Sequence, residues 1–120
     1  VAVVLIVDDE FGIADVLQDF LEDEGHTVLT AINGRAALER MAEQPPDLVL
    51  SDYMMPVMDG AGLLAKMAAD QKLSKVPVAI MSSLPEPAVA EHCSGYAAFL
   101  RKPFRIGDVA ALVERLLPGR

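Results

Sequence analysis

The sequence predicts an α/β domain in which a doubly wound, five-stranded parallel sheet carries helices on both faces. Apolar runs alternate with helical patterns five times along the 120 residues. Strands alternating with helices in short units imply right-handed crossovers and therefore a parallel sheet. The first run, Val1 to Val7, is apolar at every position, as expected of a strand buried on both faces rather than one half exposed to water. The composition agrees, with 52% hydrophobic but only 5% aromatic residues, which predicts an aliphatic core.

Each element has a local reason. After the first strand, Ile13, Val16, Leu17, Phe20 and Leu21 recur at the spacing of one helix face, and Gly25 provides a left-handed stop. A second strand is predicted over Thr27–Ala31. Asn33 then caps a helix carrying Ala36, Ala37, Leu38 and Met41, which ends at Pro45-Pro46. The third strand is expected over Asp47–Ser51, followed by the loop Asp52 to Gly60 and a helix through Leu63, Leu64 and Met67. The fourth strand is placed at Val76–Met81, with a helix after Pro85 reaching about Cys93, and the fifth at Ala97–Arg101. The last helix has Ile106, Val109, Leu112, Val113 and Leu116 on one face and ends before Pro118-Gly119. With no long linker or low-complexity segment, residues 1–120 are expected to form one domain.

Bulk properties exclude several classes. A formal net charge of −8 argues against a nucleic-acid surface, which needs clustered Lys and Arg, and against docking on anionic lipid. Cys93 is the only cysteine, so neither an internal disulfide nor a Cys-based metal site is available, and a reduced, cytoplasmic setting is the expectation. The opening run is too short to span a bilayer and lacks the basic start of a signal peptide.

In folds of this class, reactive groups collect beyond the carboxyl ends of the strands. Asp8, Asp9 and Glu10 follow the first strand, Asp52 the third, Ser82 and Ser83 the fourth, and Lys102 the fifth. Neighbouring carboxylates repel by about 4 kcal/mol per pair at 4 Å and an effective dielectric near 20. A hard divalent cation with oxygen ligands offsets that repulsion, and Mg²⁺ is the natural choice beside a phosphoryl group. Asp52, alone at the end of a central strand, is the candidate nucleophile toward phosphorus. Asp8 and Asp9 are the candidate metal ligands, Lys102 the fixed cation, and Ser82 a hydrogen-bond donor to the phosphoryl group. Taken singly, each has an ordinary alternative: Asp9 as a helix cap, Asp52 and Ser82 as turn residues, Lys102 as a solvated lysine. Their joint placement at strand carboxyl ends favours the site.

The segments Leu5-Ile6-Val7-Asp8-Asp9-Glu10, Asp47 to Gly60, Val76 to Ser82 and Phe99-Leu100-Arg101-Lys102-Pro103-Phe104 together resemble the receiver domain of two-component response regulators, over essentially the whole chain. The resemblance implies a flavodoxin-like sheet of order 2-1-3-4-5. It further implies that Asp52 is the phosphoacceptor, served by a sensor histidine kinase or phosphotransfer protein. Asp8, Asp9, Asp52 and the backbone carbonyl of Met54 would hold Mg²⁺. Lys102 would pair with the phosphoryl oxygens, with the Lys102–Pro103 bond cis. Ser82 and Phe99 would be the switch residues that alter the surface read by a downstream output domain or target protein.

Two departures stand out. Phe99 lacks the hydroxyl of the tyrosine often found at its position. Pro85 and Pro87 remove two backbone donors, so the fourth helix is expected to be late or short. His26 and His92 are read as ordinary surface residues, and the methionines around Asp52 as loop packing. The final helix is a candidate homodimer surface. The competing functions are a Mg²⁺-dependent phosphohydrolase, a flavin or nucleotide binder, and a receiver that only binds partners. The acid pattern lacks the hydrolase spacing, and two acids after the first strand would repel a phosphate. The expectation is therefore self-phosphorylation and self-dephosphorylation without turnover of a separate substrate.

Overall fold

The computed structural model describes residues 2–117. Five strands, β1 (Val3–Val7), β2 (Thr27–Ala31), β3 (Leu48–Asp52), β4 (Val78–Ser82) and β5 (Ala98–Arg101), alternate with α1 (Phe11–Asp23), α2 (Gly34–Glu43), α3 (Gly60–Ala68), α4 (Glu86–Ala90) and α5 (Ile106–Leu116). The sheet order is β2-β1-β3-β4-β5, and every pairing is parallel. The strand-one apolar run has the predicted consequence. Val4 and Ile6 face a cluster with Leu17 and Leu21 of α1 and Val109, Leu112 and Val113 of α5. Leu5 and Val7 face the opposite cluster with Ala37 and Met41 of α2, Leu63 and Met67 of α3 and Val89 of α4. All four strand residues are fully buried, which explains why no polar residue interrupts the run.

Strand ends differ from the sequence reading by one or two residues, in ways that bear on the site. Val1 lies outside the described residues. Asp47 precedes β3: its carboxylate accepts from Val3 N at 2.8 Å and its own N–H donates to Val3 O, so it starts the strand as a brace. β3 extends to Asp52, which pairs in register with Met81, and β4 extends to Ser82, in register with Arg101. β4 begins after Pro77, whose carbonyl still accepts from Val49 N. Both site residues thus lie on the sheet rather than in the loops beyond it.

The helices follow their local signals. Asn33 Oδ1 accepts from Ala36 N as the α2 cap, and Gly25 takes φ 92° at the end of α1. The buried stripe of α1 is Ala14, Leu17 and Leu21, while Val16 is 55% exposed, because it lies about 100° around the helix from Leu17. α4 has only five residues, its first turn built on Pro85 and Pro87. His26 is not a surface residue: it is buried, and its Nδ1 accepts from Ala2 N at 3.3 Å where the chain enters β2 beside the start of β1. His92 is exposed.

Candidate functional site

At the carboxyl end of the sheet, Lys102 sends its ammonium between three acids. Nζ lies 3.2 Å from Asp52 Oδ1, 3.3 Å from Glu10 Oε1 and 3.5 Å from Asp8 Oδ2. The Lys102–Pro103 peptide is cis, and Lys102 N donates to Ser82 O at 2.8 Å, fixing the lysine backbone to the end of β4. Carboxylate oxygens of Asp8, Glu10 and Asp52 all fall within 4.8 Å of one another, a spacing that suits one small cation.

The acids are held differently. Asp8 N donates to Ala31 O, extending the β1–β2 ladder, and Asp8 Oδ1 accepts from Glu10 N at 2.8 Å. That Asx-type turn brings Glu10 back toward Lys102 and leaves Asp9 exposed at the cleft rim. Asp9, read from sequence as a metal acid, therefore stays outside the tight carboxylate group, and Glu10 takes the third place in it. Asp9 is not the helix cap either, since Glu10 occupies that position without a side-chain bond. Asp8 Oδ2 is buried and has no hydrogen-bond partner; its 3.5 Å contact with Lys102 is long for a charge-assisted bond. An anionic oxygen in that condition is a place for a cation.

Asp52 Oδ1 accepts from Tyr53 N at 3.0 Å, and the same N–H donates to Met81 O. Gly60 permits this geometry. Its N–H donates to Tyr53 O, and a Cβ there would stand 2.7 Å from Asp52 O, so only glycine lets the loop return this closely behind the acid. Asp59 closes the loop by capping α3 through Gly62 N.

One ammonium among three carboxylates leaves the cleft with net negative charge. Burial and the Asp8 carboxylate push Asp52 up to about 6, against the pull of Lys102. Burial also raises Asp8. For Lys102, burial works to lower the pKa, but Asp52 and Asp8 outweigh it and raise it, so the lysine stays charged. The cleft has a volume of about 510 Å³, and Asp9, Met54, Ser82 and Ser83 line it together with Glu10, Asp52 and Lys102. Met54, 66% exposed, sits at its edge. Ser82 is buried, and its Oγ accepts from Leu84 N at 3.0 Å, which leaves its proton free to donate.

Phe99 lies on β5, half-buried against the α2–α3–α4 side rather than in the cleft. Its ring is 6.3 Å from that of Tyr96, whose hydroxyl donates to Glu86 Oε2 at 2.8 Å. A hydroxyl link from this region to α4 thus exists, but three residues before Phe99. Nothing in the local pattern around Tyr96 marks it, because its partner is ten residues away across a loop.

The model of the response regulator receiver domain matches residues 4–114. The chain is 39% identical to the DNA-binding transcriptional regulator NtrC of Escherichia coli, an alignment covering 96% of this chain and 24% of that protein. It is 38% identical to the two-component response regulator ORR11 of Oryza sativa, over 96% of this chain and 80% of that protein. Among solved structures, the receiver domain of a histidine kinase from Syntrophus aciditrophicus superposes with a TM-score of 0.91 at 33% identity, covering 99% of this chain and 92% of that one. The Vibrio cholerae chemotaxis protein CheY4 gives 0.90 at 29%, covering 97% and 98%. The chain spans about a quarter of the NtrC length and four-fifths of ORR11. With its sheet order, its acid cleft and a family match over nearly its whole length, the chain belongs to the response regulator receiver domain family.

Proposed function

We propose that Asp52 accepts a phosphoryl group from the phosphohistidine of a sensor histidine kinase or phosphotransfer protein, in a Mg²⁺-dependent reaction, and that the modification alters an output surface. The observation that carries this is the Lys102 ammonium lying within 3.5 Å of both Asp8 and Asp52 while Asp8 Oδ2 is buried without a hydrogen bond. The site already holds one positive charge and is shaped for a second.

With a pKa of about 6, Asp52 is ionised at pH 7. One of its oxygens forms the new bond to phosphorus as the P–N bond of the donor breaks, and the leaving imidazole takes the electron pair and then a proton from solvent. Lys102 faces charge developing on the equatorial oxygens, and the Ser82 hydroxyl donates to one of them. Mg²⁺, held by Asp8, Asp52 and the Met54 carbonyl, with Glu10 beside them and Asp9 at the rim, would supply further charge neutralisation and order the transferred group. Chemistry is confined to the domain's own aspartate, without turnover of a separate substrate.

A second concavity supports delivery of a donor. A groove of about 420 Å³ lined by Gly12, Ile13, Val16, Phe104 and Ile106 adjoins the acid cleft and shares Ser83 and Lys102 with it. Its apolar floor suits a helix carrying the donor histidine close to Asp52. Phosphorylation would reach an output domain or target through Ser82 at the end of β4 and through Phe99, whose ring lies 6.3 Å from that of Tyr96, itself bonded to Glu86 of α4. No described helix is long and apolar enough to cross a membrane, and a cytoplasmic site of action is part of this reading.

The test is intact-mass measurement after incubation with Mg²⁺ and a small acyl phosphate. One phosphoryl adduct is expected, absent in Asp52→Asn and absent when Mg²⁺ is chelated. An unchanged mass in the unsubstituted protein would refute the proposal, and multiple turnover of unrelated phosphate esters would favour a hydrolase.

A further inference from the structure

The loop that follows Ser82 has little main-chain support of its own. Ser82 ends β4 opposite Arg101, and Lys102 N bonds its carbonyl at 2.8 Å. The β4–β5 register ends at that pair, and Pro103, the residue after Lys102, has no N–H to offer. Pro85 and Pro87 likewise contribute no donors, and α4 is five residues long. The next carbonyl, that of Ser83, is instead taken by a side chain: Arg101 Nε donates to Ser83 O at 2.9 Å. Arg101 at the end of β5 and Lys102 just after it therefore hold two consecutive carbonyls, Arg101 that of Ser83 through its guanidinium and Lys102 that of Ser82 through its backbone. Lys102 simultaneously reaches Asp8, Glu10 and Asp52. Within the loop, Leu84 N closes onto Ser82 Oγ.

We infer that Arg101 is a positioning residue for phosphoryl transfer: through the Ser83 carbonyl it fixes the β4–α4 loop so that the Ser82 hydroxyl faces the phosphoryl group at Asp52. The inference rests on Asp52 being the phosphoacceptor. The Arg101 guanidinium bonds the Ser83 carbonyl while Lys102 pairs with the acids, so its effect passes through Ser82. Arginine is suited to the task because Nε sits in a rigid planar fork, whereas a lysine would present a mobile ammonium. A hydrogen bond of this kind corresponds to about a threefold to tenfold change in rate when the loop it holds is loosened.

The experiment is a double-substitution cycle read by the rate of phosphoryl adduct formation from a small acyl phosphate at saturating Mg²⁺. The four proteins are the unsubstituted chain, Arg101→Met, Ser82→Ala and the pair. Methionine keeps an apolar stem on an exposed residue and removes the donors. Arg101→Met should slow the reaction about threefold to tenfold when Ser82 is present and less than about twofold when it is absent. Arg101→Lys should fall between Met and Arg, and Mg²⁺ affinity by calorimetry should be the same in Arg101→Met as in the unsubstituted chain. An equal loss in both Ser82 backgrounds, no loss at all, or a parallel fall in Mg²⁺ affinity overturns the assignment to Arg101 alone. A failure of the unsubstituted chain to take any phosphoryl group overturns the phosphoacceptor reading, and this inference with it.

Discussion

Replacing Asp52 by Asn should make the metal-free protein more stable at neutral pH, although it removes the proposed reactive group. Burial and the neighbouring Asp8 raise Asp52 from 3.8 to about 6, so the folded chain holds this proton more tightly than the unfolded chain does. A difference of that size corresponds to about 3 kcal/mol. The sign follows from proton binding. Below pH 3.8 both states are protonated and no penalty exists; between 3.8 and 6 the native state binds more protons, so stability falls as pH rises; above 6 the whole penalty is present. Asn removes the charge but also one partner of Lys102, which retains Asp8 and Glu10. A net gain of about 1–2 kcal/mol at pH 7.5 is therefore expected. The assay is urea unfolding in chelator at pH 7.5 and at pH 4, with m-values compared to confirm a common unfolding transition. The gain should shrink toward zero at pH 4. Adding Mg²⁺ at pH 7.5 should stabilise the unsubstituted chain preferentially and narrow the gap. A variant less stable at pH 7.5, or a gain independent of pH, refutes the electrostatic account of this cleft.

Three further outcomes follow from particular contacts. Lys102→Gln leaves three carboxylates facing one another, and should cost about 3 kcal/mol in chelator by urea unfolding, with much of the loss recovered by Mg²⁺; a variant that Mg²⁺ does not rescue would contradict the cation-site reading. Val57 holds φ 71° and is 76% exposed, a strained conformation for a β-branched residue with little packing to lose. Val57→Gly should raise stability by about 0.5–1 kcal/mol, seen as a Tm increase of a few degrees, and a lower Tm would refute the strain argument. Gly60→Ala should destabilise by about 2 kcal/mol or more and slow adduct formation at Asp52, because its Cβ meets the Asp52 carbonyl at 2.7 Å and the Tyr53 Cα at 3.1 Å; a thermal melt and mass assay indistinguishable from the unsubstituted chain would show that the loop yields freely.

The sheet was readable from sequence because its signal is redundant. Each central strand is buried on both faces, so every residue from Val4 to Val7 or from Leu48 to Leu50 repeats the same message. The ends of β3 and β4 were not readable, because Asp52 and Ser82 are polar residues that belong to the ladder, and an apolar run carries no signal past its last apolar residue. His26 shows the same limit: a single polar residue can be buried at a strand entrance when a backbone N–H such as that of Ala2 meets it, and no periodicity announces such a meeting. The shortness of α4 was legible because proline acts locally, by removing donors from its own segment.

The cleft makes the distinction sharper still. Sequence spacing placed acids after β1 but could not tell which of three consecutive acids would face the lysine, since that depends on a turn and not on adjacency. Asp8 accepts from Glu10 N, and this one bond turns the third acid inward and leaves the second at the rim. Glu10 is 60% exposed at its side chain, so its ion pair with Lys102 is screened by solvent and contributes little to stability. The Asp8 and Asp52 contacts are buried and are screened much less. It follows that a cation or phosphoryl group entering the cleft can draw Lys102 away from Glu10 at small cost, while Asp8 and Asp52 remain committed to whatever charge lies between them. The exposed acid is the adjustable partner, and the buried pair, with the unbonded oxygen of Asp8, is where the proposed new charge would be held.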